Sequence, residues 1–144
     1  MRLRMTPHTI AVALGSNLGD RALNLRRAVH ELRSVMSVVR VSRMIETKPV
    51  GAPAGSPDFL NMAVSGWTHL PPLEFLHALM AIEKRLGRVR GVRNAARTID
   101  LDLILHDARR MRTRELTLPH PRAHDREFVL MPLRDIGVPL HSLA

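Results

Sequence analysis

Two segments of this chain carry apolar residues at helical spacing, and each is flanked by segments that alternate. This order constrains the fold more tightly than any other feature of the sequence. The first helical segment runs from Arg21 to about Ser34, with Leu25, Val29 and Leu32 on one face. The second opens at Pro71 or Pro72, runs to about Leu86 and carries Leu73, Leu76, Leu79, Met80 and Ile82, with Gly87 ending it. Ile10 to Leu14 reads as a short buried strand ahead of the first helix, and Asp20, closing the turn GSNLGD, is placed to cap that helix. Val38 to Ile45 reads as one strand, with Val39, Val41 and the stem of Arg43 opposite Val38 and Met44. Phe59 to Thr68 is another strand, and TIDLDLIL is the clearest strand in the chain. An edge strand is expected near Arg114 to Leu118, and a short helix near Arg126 to Leu133.

The order strand, helix, strand, strand, helix, strand is a split βαβ pattern. It predicts an α+β fold, a ferredoxin-like βαββαβ core whose mostly antiparallel sheet has helices packed on it. A chain of 144 residues, 45% of them hydrophobic, suits a single domain over residues 1–144. There is no cysteine, so disulfides and thiolate metal sites are excluded, which is compatible with a reducing cytoplasm. Arginines precede an apolar run near the N-terminus, but Ile10 to Leu14 is too short for a signal-peptide core. No stretch approaches the ~20 apolar residues of a membrane span, so a soluble cytoplasmic protein is expected. The net charge is +9, carried by 20 arginines and two lysines. Such a surplus suits a polyanion or a phosphorylated small molecule, though scattered arginines also serve as a solvated surface.

Four features carry chemistry. In RTIDLDLIL, alternation puts Asp100 and Asp102 on one face and Ile99, Leu101 and Leu103 on the other. Two neighbouring carboxylates repel unless a hard divalent cation lies between them, and magnesium takes such oxygen ligands together with phosphate oxygens. Alone, Asp-x-Asp is also what a solvent-facing stripe on an amphipathic strand looks like. Arg88, Arg90, Arg93 and Arg97 lie just before this strand, and a guanidinium grips phosphate through paired hydrogen bonds. Carboxylates fed by arginines supply both halves of a metal–nucleotide site, and phosphoryl transfer needs little beyond positioning and charge neutralisation. In LPHPRAHDREF, His120, Arg122, His124 and Arg126 recur at every second residue, and His120 is stiffened between two prolines. Finally, the loop from Thr47 to Asp58, rich in proline and glycine, leads into Phe59 and Asn61 on one strand face. They offer a ring for stacking and an amide that can read a heterocycle edge, or else simply core packing and a turn.

The blocks ALGSNLGD, ETKPVGAPAGSPDFLNMAV, EKRLGRVRGVRNAARTIDLDLIL and LTLPHPRAHDREFVLMPL closely resemble the 6-hydroxymethyl-7,8-dihydropterin pyrophosphokinase family of folate biosynthesis, in family order over nearly the whole chain. The resemblance implies transfer of an intact diphosphate from ATP to the hydroxymethyl group of the pterin, releasing AMP. It implies two magnesium ions held by Asp100 and Asp102. It implies nucleotide contacts from Glu83, Arg88, Arg97, Leu103, Thr117, His120 and Arg126, with Arg88 and Arg97 also catalytic. The pterin is expected between Phe59 and Phe128, with Thr47, Val50 and Asn61 at its polar edge. Loops at Gly15 to Asp20, Thr47 to Asp58 and Gly87 to Ala96 are expected to close over the substrates. No protein base is evident, and the metal can activate the hydroxyl. The resemblance suggests a monomer acting on small molecules, without nucleic acid or membrane. The chain departs from the family at Asn94, Ala95 and Ala96, where Trp-Gly-Pro is frequent, at Met80, where a polar residue is common, and near Glu115, where arginine is common.

Two other readings compete. One is an RNA-binding module on the same kind of sheet, but the chain has no tyrosine, three phenylalanines and one tryptophan, and it puts two aspartates on what reads as a central strand. The other is a catalytically weakened relative that still binds pterin or nucleotide.

Overall fold

Both faces of the first strand are covered, and this sets the architecture. β1 (His8–Ser16) directs Ile10, Val12 and Leu14 to one side and Ala11 and Ala13 to the other. α1 (Arg21–Leu32) starts where Asp20 Oδ1 accepts the Leu23 N–H at 3.1 Å, a cap that contributes about 1 kcal/mol. β2 (Ser37–Val41), β3 (Ile45–Thr47) and β4 (Phe59–Thr68) follow. α2 (Pro72–Arg85) has Pro72 in its first turn and Lys84 and Arg85 in its last, as the helix dipole favours. Gly87, at φ +90°, takes the left-handed conformation just beyond its end. β5 (Asp100–His106), the hairpin strands β6 (Met111–Arg112) and β7 (Thr117–Leu118), a 3₁₀ turn (Ala123–Asp125) and α3 (Glu127–Asp135) complete the order. The computed structural model describes residues 6–49, 51, 53–87, 98–139 and 143.

The sheet runs β2-β4-β1-β5, antiparallel throughout, with β3 also paired to β4. This is the ferredoxin-like arrangement expected from the element order. α1 and α2 cover one face. Leu25, Ala28 and Leu32 join Phe75, Leu79 and Ile82 against Val12, Leu14, Met62, Val64, Leu101 and Leu103. α3 covers part of the other face, where Val129, Leu130 and Leu133 meet Ala11, Ala63 and Ile104. The half of that face around Gly15, Asn61 and Asp100 belongs to neither apolar cluster.

Three expectations are corrected. The strand expected over Val38 to Ile45 is broken into β2 and β3. Ser42, buried at the break, uses its hydroxyl to accept the Ala63 N–H at 2.8 Å and to donate to the Arg43 carbonyl, so a side chain replaces one rung of the ladder. A register shift between Val38 and Arg40 turns the edge as well, leaving Val39 and Val41 exposed. The edge strand expected near Arg114 to Leu118 is half of a separate two-stranded hairpin. β5, read as a central strand, is the last strand of the described sheet, because β4 rather than β5 takes the place between β1 and β2.

Gly66 lets β2 approach β4: a Cβ there would lie 1.8 Å from the Ser37 carbonyl oxygen. Gly66→Ala should therefore lower the unfolding free energy by about 1–3 kcal/mol. Phe75→Ala, which empties the middle of the helix-side core, should lower it by about 3–5 kcal/mol. Urea denaturation measures both, and an unchanged midpoint for Gly66→Ala would contradict the close β2–β4 contact.

Candidate active site

The half of the sheet face outside both apolar clusters is built from three strands in one register. Asp100 on β5 lies opposite Gly15 on β1, and Gly15 lies opposite Asn61 on β4. One step along, Asp102 lies opposite Ala13, and Ala13 opposite Ala63. Small residues therefore floor a trough, with carboxylates on one side and the Asn61 amide on the other. Adjacent strands are about 4.8 Å apart, so Asn61 and Asp100 are separated by roughly 10 Å. The floor is tight at its centre. A Cβ on Gly15 would come within 3.0 Å of Asn61 Oδ1 and 3.4 Å of the Phe59 ring.

On the acidic side, alternation works as expected: Leu101 and Leu103 are buried among the helices, while Asp100 and Asp102 are half-buried on the opposite face. Two positions along one strand face are about 7 Å apart. The start of β5 is held by Glu83 on α2, which is 2% exposed and accepts the Leu101 N–H at 2.8 Å. Glu83 and the Leu103 side chain thus lie on the helix side of the sheet, away from the trough. The alternation of β5 puts the Leu103 side chain in the core, and the inward turn of α2 brings Glu83 to the backbone of β5.

His120 reaches the carboxylates from the segment after β7. Its backbone N–H donates to the Ile104 carbonyl at 3.0 Å, which docks the segment against β5. The Arg122 N–H donates to His120 Nδ1 at 3.3 Å, so the proton of the neutral ring sits on Nε2. That Nε2 is 4.0 Å from Asp102 Oδ1, longer than a hydrogen bond. Burial, followed by the nearby Arg126 and Arg122 guanidinium groups, holds the His120 pKa below its usual value despite the pull of Asp100. The ring is therefore a neutral donor at neutral pH. The guanidinium of Arg126 also lies 5.5 Å from the centre of the Phe128 ring. Phe128 itself packs, partly buried, at the edge of the α3 cluster. Thr117 lies across from Arg112 in the β6–β7 hairpin, and β7 packs beside β5.

On the other side, the Asn61 side chain donates to Thr47 Oγ1 at 2.5 Å, and Asn61 is 7% exposed. Thr47 lies opposite Phe59 in the β3–β4 pairing. Thr47, Phe59 and Asn61 thus form one polar and aromatic wall. The two loops that border it are joined at their roots. Asn17 Nδ2 donates to the Pro57 carbonyl at 3.3 Å, and Arg21 Nη1 donates to the Asp58 carbonyl at 3.0 Å. Arg21 also pairs with Glu46 at 3.4 Å. Sequence reasoning missed Gly15, Asn17 and Arg21 as individual contributors. The signal for Gly15 and Asn17 was the motif GSNLGD at the end of a strand, with Arg21 just after it, and the carbonyls that Asn17 and Arg21 reach are 40 and 37 residues away.

Val50, Arg88, Arg90, Arg93 and Arg97, and the variant run Asn94 to Ala96, lie outside the described residues. Of the other departures, Met80 is exposed on α2, and Glu115 pairs with His77 Nε2 at 2.9 Å, tying the hairpin to α2.

Comparison with known proteins identifies relatives of this chain. The chain is 46% identical over 127 residues to the 2-amino-4-hydroxy-6-hydroxymethyldihydropteridine pyrophosphokinase of Bacillus subtilis, covering 87% of this chain and 75% of that protein. It is 39% identical to the enzyme of that name from Porphyromonas gingivalis, over 94% of this chain and 95% of that one. It is also 40% identical to a mitochondrial folate synthesis bifunctional protein of Arabidopsis thaliana, of which it spans only 24%. A crystal structure of Plasmodium falciparum HPPK-DHPS with pteroate superposes with a TM-score of 0.73 over 99% of this chain and 43% of that chain, at 14% identity, which speaks to the shared fold. A family model for 7,8-dihydro-6-hydroxymethylpterin-pyrophosphokinase (HPPK) matches residues 11–138, and the chain belongs to that family.

Proposed function

We propose that this chain carries out the reaction of its family in folate biosynthesis, moving the terminal diphosphate of ATP onto the hydroxymethyl group of 6-hydroxymethyl-7,8-dihydropterin and releasing AMP. The observation that carries this reading is the shared register of Asn61, Gly15 and Asp100, which sets a heterocycle-reading wall and a carboxylate wall across one open trough.

Asp100 and Asp102 suit two magnesium ions, since both are hard oxygen donors on one strand face beside a cationic segment. Magnesium bound there supplies charge neutralisation to the triphosphate and lowers the pKa of the attacking hydroxyl. The remaining work falls to the chain's own groups. His120 donates its Nε2–H to a phosphate oxygen, and Arg126 adds a fixed positive charge beside it. Arg88 and Arg97 complete the grip on the phosphates, as the family resemblance implies. The pterin ring lies between Phe59 and Phe128, with Asn61, Thr47 and Val50 at its polar edge. A ring seated on Asn61 carries its substituent over Gly15, toward Asp100. Gly15 leaves that path clear, and close positioning of this kind accounts for most of the barrier lowering in phosphoryl transfer. The joined roots of loops 15–20 and 47–58 let both loops exclude water together.

The protein is further taken to act as a monomer in the cytoplasm. No helix among the described residues is long and apolar enough to cross a membrane.

Incubation with ATP, magnesium and the hydroxymethyl pterin should yield AMP in proportion to diphosphorylated pterin. Absence of AMP under every metal condition, with nucleotide affinity retained, would point instead to a weakened relative. Asp100→Ala and Asp102→Ala should each reduce turnover by about a thousandfold or more, because the metal supplies several kcal/mol of charge stabilisation, while the fold survives. Near-normal turnover in either variant overturns the metal assignment. In the metal-free protein, NMR titration should find His120 titrating below its usual 6.5. Arg126→Ala should move that midpoint upward. Because the folded state disfavours the imidazolium, His120 also makes stability fall as pH drops below about 6.5 toward the folded-state pKa.

A further inference from the structure

At the opposite end of the sheet from the trough, His8 opens β1, His106 closes β5 and Asp107 follows it. His8 Nδ1 and Asp107 Oδ2 are 2.7 Å apart, and the rings of His8 and His106 have centroids 4.6 Å apart. The three side chains each offer one ligand atom within 4.8 Å of the other two. Asp107 is held in place by β1: its Oδ1 accepts the Thr9 N–H at 2.7 Å and the Thr9 hydroxyl at 3.2 Å.

His106 supplies the second observation. It is 1% exposed, and its Nε2 lies 2.9 Å from the Leu70 carbonyl. A carbonyl only accepts, so Nε2 carries the proton and Nδ1 presents a bare lone pair. That Nδ1 is buried and has no hydrogen-bond partner among the described residues. An orphaned buried acceptor is costly and calls for an explanation. A ring that donates one N–H to a backbone carbonyl and keeps the other nitrogen bare has the form of a metal-ligating histidine with its orienting partner.

We propose that His8, His106 and Asp107 form a second metal site, distinct from the carboxylate pair, that takes a borderline divalent cation of the zinc class. Two imidazoles and one carboxylate match zinc rather than magnesium, and three protein ligands leave a fourth position for water. Bonds of about 2.1 Å in a tetrahedron set ligand atoms a little over 3 Å apart, so the three atoms need to move by no more than about 1–2 Å. The metal replaces the proton shared between His8 and Asp107. It ties the first residue of β1 to the end of β5. Asp102 is four residues from His106 along β5, or about 13 Å, so the two sites cannot share an ion.

The test uses full-length protein free of any histidine tag, titrated with zinc in excess magnesium and followed by equilibrium dialysis and thermal melting. The expected result is one zinc per chain with a raised melting temperature, retained when Asp100 and Asp102 are both replaced by alanine. His8→Gln and Asp107→Asn, at solvent-accessible positions, should each weaken zinc binding by about tenfold or more. His8→Gln should leave magnesium-supported turnover unchanged. Zinc binding that disappears with the Asp100 and Asp102 carboxylates, or that is as tight in both site variants as in the parent, overturns the proposal. Cobalt titration of the unsubstituted protein provides a readout independent of variant folding: a strong visible band of tetrahedral nitrogen and oxygen ligation is expected, and a purely octahedral spectrum contradicts the site.

Discussion

The pairing of β1 between β4 and β5 is the constraint on which the site depends. It places Gly15 between Asn61 and Asp100, and Ala13 between Ala63 and Asp102. Because side chains alternate along a strand, a slip of one residue in either pairing would turn the carboxylates or the amide into the helix-side core. The core resists that slip. Ile10, Val12 and Leu14 on β1, Met62 and Val64 on β4, and Leu101 and Leu103 on β5 all enter the same apolar cluster, so packing that stabilises the fold also holds the two walls in register. Fold and site are one alignment viewed from the two faces of the sheet.

The supporting contacts have the same logic. Glu83 is spent on the Leu101 N–H at the point where β5 begins, and His120 is tied to β5 through the Ile104 carbonyl. The loops at 15–20 and 47–58 are joined by Asn17 and Arg21 to the carbonyls of Pro57 and Asp58. Each of these polar groups satisfies a backbone partner near the site, and buried polar groups left unsatisfied there would cost more than the bonds contribute. α3 covers only part of the same face, with Leu133 and Leu130 over Ala11, Ala63 and Ile104, and the Gly15 row lies outside that cluster.

Much of this was legible in the amino-acid order. The alternation of Asp100, Leu101, Asp102 and Leu103 was enough to separate a polar face from a core face, and the helical spacing of Leu25, Val29 and Leu32 was enough to place α1. The cap at Asp20 and the stop at Gly87 followed from backbone chemistry that acts over a few residues. What could not be read depends on long-range pairing. The break at Ser42 requires the Ala63 N–H across the sheet. The edge position of β5 depends on which strand β4 joins. The burial of Glu83 depends on where α2 packs against the start of β5. The trough floor at Gly15 exists only once three strands are aligned.

If Asp100 and Asp102 hold the metal, the metal-bearing phosphates lie at the Asp100, Gly15 and His120 end of the sheet. Manganese, which takes oxygen ligands as magnesium does, makes this directly measurable by paramagnetic broadening of backbone amide signals in the presence of a non-hydrolysable ATP analogue. Broadening is expected to centre on Gly15, Asp100 to Asp102 and His120, and to fade along β5 toward His106. Broadening centred anywhere else on the molecule, or unaffected by the nucleotide, would contradict it.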